Sequence, residues 1–133
     1  MVNKSVEAFR KLTLEMQTQV YVDALAELNA QADGLVTMMK SVVKHGPTGD
    51  LANSIHKEAG PTATIVKVAA GGAATTVQHG AGKSYDYARA VEFGTVKMHP
   101  EPFFFPTFRL MRKSMRSSMR RRISQRIKQY SAE

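Results

Sequence analysis

Val91-Glu92-Phe93-Gly94-Thr95 and, further on, Pro102-Phe103-Phe104-Phe105-Pro106 stand between two long amphipathic patterns, and the reading of this stretch decides the fold. Residues 85–92 read as a helix with Tyr87, Ala88 and Val91 on one side. Gly94 takes the place just past its last turn, where a left-handed residue ends a helix. Residues 97–106 read as extended, because Pro100, Pro102 and Pro106 forbid a helix through them. Successive side chains of an extended segment point to opposite sides. Phe103, Phe104 and Phe105 therefore cannot all plug a core, and at least one is expected to face a partner.

Beyond Pro106, the residues Phe108, Met111, Met115, Met119, Ile123, Ile127 and Tyr130 recur at three and four, which predicts a second long helix. Its apolar stripe is narrow and arginines crowd the rest, as fits a helix lying across a sheet or groove with its other side left free. Before the deciding stretch, residues 62–69 are rich in β-branched side chains. Gly71-Gly72 then marks a turn, and residues 73–79 can return as an antiparallel partner. Residues 54–58 offer a third strand, turning at Ala59-Gly60-Pro61. Residues 80–84 read as a polar loop.

The N-terminal segment, residues 4–44, is the first long helix. Val6, Phe9, Leu12, Met16, Val20, Ala24, Leu28, Leu35, Met39 and Val42 line one face of it. Asn3 or Ser5 can cap its start. Gly34 costs about 1 kcal/mol inside such a helix and predicts a bend or break near residues 32–34. An unbroken helix would run on the order of 60 Å, too long to fold back on a small domain unless part of it packs on a neighbouring subunit. His45-Gly46-Pro47-Thr48-Gly49-Asp50 is a stop signal. The whole reads as one α+β domain over residues 1–133: a long N-terminal helix, a small antiparallel β-sheet, a short helix, and a long basic C-terminal helix packed on the sheet.

Charge and composition narrow the function classes. The net charge is +8, and nine of the nineteen Lys and Arg residues fall between Arg109 and Lys128, with no acid among them. Such a segment faces something polyanionic or remains a solvated surface. With arginines all round the helix, any DNA contact is expected at phosphates. Absence of cysteine excludes disulfides, thiolate metal sites and cysteine nucleophiles. No apolar run approaches the roughly 20 residues of a membrane span, and the first residues lack the apolar stretch of a signal peptide. Gly80-Ala81-Gly82-Lys83-Ser84 fails as a phosphate loop, because Val77 stands where the first glycine belongs. His45, His56, His79 and His99 are scattered without ligand spacing. No serine has a histidine and acid in a recognisable order, and no cofactor is expected.

Two stretches carry a family resemblance. Thr48-Gly49-Asp50-Leu51-Ala52-Asn53-Ser54-Ile55 resembles a Thr-Gly-x-Leu-x-x-Ser-Ile element. Tyr87-Ala88-Arg89-Ala90-Val91-Glu92-Phe93-Gly94-Thr95, with Met98 and Pro102-Phe103, resembles a Tyr-Ala-x-x-Val-Glu-Phe-Gly-Thr and Pro-Phe-x-x-Pro signature. Both are similar to elements of the tailed-bacteriophage neck or tail-completion (head–tail joining) proteins, such as gene product 10 of a lambda-like phage. The order of elements matches over nearly the whole chain, although Phe104-Phe105 is bulkier than the pattern.

The resemblance implies a non-enzymatic virion protein, made in the host cytoplasm. It would form a ring, six subunits round, between the head connector or stopper protein and the tail tube, with DNA passing through the lumen. Val91, Glu92, Phe93, Gly94, Thr95, Pro102, Phe103, Phe104 and Phe105 are then expected at subunit contacts. Arg112, Arg116, Arg120, Arg121, Arg122 and Arg126 are expected towards DNA or an acidic neighbour. Replacing Phe103 and Phe104 with serine is expected to block assembly and leave the monomer folded. The rival reading is a DNA-binding protein acting through its basic helix; a hydrolase or nuclease is disfavoured by the missing acidic metal cluster.

Overall fold

Asn3 caps the first helix, its side-chain oxygen accepting the Ser5 amide at 3.0 Å. The computed structural model describes residues 3–43, 49–78, 80 and 82–132. Most of the predicted stop after the first helix, residues 45–48, lies outside them. Helix α1 (Lys4–Val42) runs through Gly34 without a break. Ala32, Leu35 and Met39, on either side of that glycine, are all buried, and their packing outweighs the small intrinsic cost of the glycine.

Helix α2 (Asp50–Ser54) places Leu51, Ala52 and, just beyond it, Ile55 in the core. Strand β1 (His56–Ala59) then pairs antiparallel with β2 (Val66–Ala69), His56 opposite Ala69. Strand β3 (Thr76–Gln78) pairs with β4 (Ser84–Asp86), which leads directly into α3 (Tyr87–Phe93). The β region is therefore two separate hairpins, not one sheet. The predicted pairing of residues 62–69 with 73–79 does not form. Residues 73–75 coil into a single 3-10 turn, and the Ser54 hydroxyl accepts the Gly71 amide at 3.0 Å, drawing the end of β2 back to α2. The offered third strand, at residues 54–58, supplies the true partner of β2. The predicted loop at residues 80–84 and helix at residues 85–92 give up residues 84–86 to β4.

Helix α4 (Phe105–Ser131) packs on α1, not across the sheet. Hairpins of three- and four-residue strands are too short a platform for a 27-residue helix, whereas α1 offers a long complementary face. The two helices run antiparallel. Met111 and Met115 pack on the Leu35, Met39 and Val43 cluster at one end, and Arg126 reaches Asp23 towards the other. Phe108 and Ile127, expected on the inner stripe, are exposed. Thr107, Ser118 and Arg126 are less exposed than either. Pro106 sits in the first turn of α4, where its missing N–H costs nothing.

Candidate functional site

The two stretches that carry the resemblance meet at one corner, where α2, α3 and the start of α4 close over the C-terminal end of α1. Asp86 begins it as the N-cap of α3. Its carboxylate accepts the Ala88 and Gly72 amides, both at 2.9 Å, and the Thr75 hydroxyl at 2.6 Å. Burial works to raise its pKa, but the hydrogen bonds from Thr75, Gly72 and Ala88 outweigh it and hold the carboxyl below its ordinary value. Burial also lifts the Tyr87 hydroxyl, helped by the charges of Asp50 and Asp86.

Glu92 leaves the last turn of α3 with only 7% of its surface exposed. Its Oε2 accepts the amides of Phe103 at 2.8 Å and Phe104 at 2.9 Å, and its Oε1 accepts that of Phe105 at 2.9 Å. Phe104, the N-cap of α4, provides no side-chain cap of its own, so the Glu92 carboxylate does that work from across the corner. A negative group there also complements the helix dipole. The route between is set by Gly94, at φ +74, where a Cβ would lie within 3 Å of Met98 O and Pro100. Thr95 and Met98 exchange backbone hydrogen bonds, and the Glu101 amide donates to Val91 O at 2.8 Å.

The nine residues expected at subunit contacts therefore divide. Phe103 is 2% exposed, in the core with Met39 and Ile55, and Glu92 is buried beside it. Both side chains serve the interior of their own subunit. The expectation that serine at Phe103 leaves the monomer folded is corrected by this burial, since a polar side chain there would open the core. Val91 and Phe104 pack partly against the same core. Phe93 is 61% exposed, with Phe105 against it at a ring-centroid distance of 6.0 Å. Val96 is fully exposed and Met98 partly so. Thr95 and Pro102 are also exposed, and Gly94 is half-buried. On either side of the Phe93–Phe105 pair runs an open groove, one lined by Val68, Ala70, Arg89 and Phe104, the other by Pro100, Pro102, Pro106 and Arg109.

A second bare apolar surface lies at the opposite end of the helix pair. Residues 4–11 of α1 are all exposed, including Val6 and Phe9, the latter at 69%. Tyr130 of α4 reaches only as far as the groove lined by Lys11, Leu14, Thr18 and Gln19. The start of α1 thus projects past α4 by on the order of 10 Å.

The basic helix divides as well. The Arg126 guanidinium grips Asp23 through two nitrogens, Nη2 to Oδ1 at 3.1 Å and Nε to Oδ2 at 2.5 Å, and Arg122 stands 3.9 Å from the same carboxylate. The hydrogen bond from Arg126 is the main cause that holds the Asp23 carboxyl below its ordinary range. The acidic partner of Arg126 is thus in its own chain. Arg112, Arg116, Arg120 and Arg121 are exposed and make no ion pair among the described residues.

Sequence reasoning missed three features. Asp86 ahead of a helix is a signal that could have been read. The Glu92 clamp and the Asp23–Arg126 pair join residues far apart in the chain, and no local spacing announces them. Among the described residues, no group of His, Asp or Glu side chains could hold a metal ion, and no helix is long and apolar enough to cross a membrane. No protein-family model, curated protein or solved structure matches the chain.

Proposed function

We propose that this chain is a structural subunit that assembles head to tail into a ring at the joint between the head and tail of a tailed phage. One observation carries the self-assembly: two unrelated apolar surfaces, Phe93 with Val96 and Phe105 at one end and Val6 with Phe9 at the other, are left bare at opposite ends of the antiparallel helix pair. Different patches on one subunit that meet between copies make a heterologous contact, and such contacts close into rings or run on as filaments. The head–tail location, the sixfold copy number and the neighbours, a connector or stopper protein and the tail tube, come from the resemblance of the corner residues. Within this reading Glu92, Gly94 and Phe103 build the corner, and Phe93, Val96 and Phe105 present it.

Deleting the gene in the phage that encodes it tests the role. Separate DNA-filled heads and tails in electron micrographs, rejoined by purified protein, are the expected result; intact infectious virions would refute it. The pair Phe93→Ser and Phe105→Ser is expected to keep the monomer's helical circular dichroism and to abolish rejoining. Full rejoining by that variant would remove the corner from the interface.

A further inference from the structure

The outer face of α4 carries two regular rows. Arg109, Lys113, Arg116 and Arg120 follow one another at steps of four, three and four residues. Ser117, Arg121, Ser124 and Lys128 do the same beside them. These steps keep each row on one side of a helix, and all eight side chains are exposed. Successive members are about 4.5–6 Å apart along the axis. No carboxylate interrupts either row.

A second copy of the chain is poorly suited to neutralise this face, because among the described residues most of the acids are already engaged. Asp23 holds Arg126, Asp33 holds Lys57, and Glu58 lies by His56. Asp86 and Glu92 cap helices, Glu27 accepts from Gln31, and Asp50 and Glu101 are not free. Of the described acidic side chains, only Glu7 and Glu15 have no hydrogen-bond or ion-pair partner beside them. Two carboxylates on the far half of α1 cannot match six cations on α4.

We propose that the outer face of α4 binds the phosphate backbone of double-stranded nucleic acid, without reading its sequence. A straight, uninterrupted row of cations suits a polymer whose charges repeat at regular intervals, and the two serines add hydroxyl donors of the kind that reach phosphate oxygens. The sugar-phosphate strand supplies negative charge continuously along such a row. The proposal adds a ligand to the assembly role and stands on the charge geometry of one subunit, so the purified chain tests it independently of ring formation.

The experiment is a fluorescence titration of a 5′-labelled random-sequence DNA duplex with the full chain over a range of salt concentrations. With about six phosphates contacted, log K is expected to fall with log salt at a slope near −5. The variant R109Q/K113Q/R116Q/R120Q should lose at least about tenfold in affinity and flatten the slope to roughly −2. A control, K4Q/R10Q/K11Q/K97Q, removes the same charge from exposed positions off α4 and should stay within about twofold of the parent at about 0.15 M salt, where charges away from the contact are screened. Equal losses in both variants would reduce the effect to net charge and overturn the proposal. So would unchanged affinity in the first variant, or binding to polyglutamate or phosphatidylserine vesicles that equals binding to the duplex. Circular dichroism on both variants is expected to show the parent's helix content. Loss of rejoining with DNA binding intact would count against the assembly reading alone, and the reverse against this one.

Discussion

Glu92→Ala takes away one carboxylate and leaves the amides of Phe103, Phe104 and Phe105 without their partner at a corner that water barely reaches. Unsatisfied buried donors cost about 1–3 kcal/mol each in the worst case, and charged acceptors strengthen the bonds that are lost. A destabilisation of about 3 kcal/mol is expected from urea unfolding of Glu92→Ala. Glu92→Gln, which keeps one carbonyl oxygen as acceptor, should lose about half as much. Equal stability of Glu92→Ala and the parent would show that α4 starts without this clamp. The same residue marks a limit of sequence reasoning. Its place in the Glu-Phe-Gly-Thr stretch was visible, but its target lies eleven to thirteen residues onward, beyond the reach of helical or strand periodicity. Phe103, Phe104 and Phe105 were legible as a group that could not all face inward, and the structure buries the first and leaves the third about half exposed.

At the scale of elements, both long helices were legible because three- and four-residue recurrence persists for many turns, and such periodicity survives most tertiary detail. The strands were harder. With three or four residues each, their pairing is decided by tertiary hydrogen bonds such as Gly71 to Ser54, and no pattern of β-branched residues encodes those. The partner of α4 was also out of reach, since an apolar stripe states that a face is covered but not by what. The projecting start of α1 makes its own prediction. Phe9→Ser changes a side chain that is 69% exposed, so monomer stability should move by no more than about 0.5 kcal/mol. If the projection docks on a neighbouring subunit, the same change should cut rejoining of heads and tails at least tenfold. Unimpaired rejoining would leave the projection without a role in assembly.

For the whole molecule, the response to acid follows from two carboxylates. Asp23, through its hydrogen bond from Arg126, and Asp86, through Thr75 and two amides, both titrate below their ordinary value when folded. A depressed folded pKa contributes stability that is complete above the unfolded value of about 4 and disappears as pH falls through the folded one. Stability is therefore expected to be level between pH 5 and 7 on account of these groups and to drop below about pH 4. Asp23→Asn and Asp86→Asn should each be less stable at pH 7 and show a shallower loss on acidification, measured as urea midpoints at pH 7, 4 and 2. Acid limbs as steep as the parent's in both variants would assign acid sensitivity elsewhere.

The pairing of Asp23 with Arg126 joins residues 103 apart in the chain, and this has a consequence in time. A ribosome completes α1 about 90 residues before it completes α4, and at roughly 5–20 residues per second the interval lasts several seconds. Through that interval Leu35, Met39 and Val43 lack the cover of Met111 and Met115. The nascent chain must therefore carry its longest helix half-clothed until α4 is made, and a product truncated before α4 would be left in that state for good.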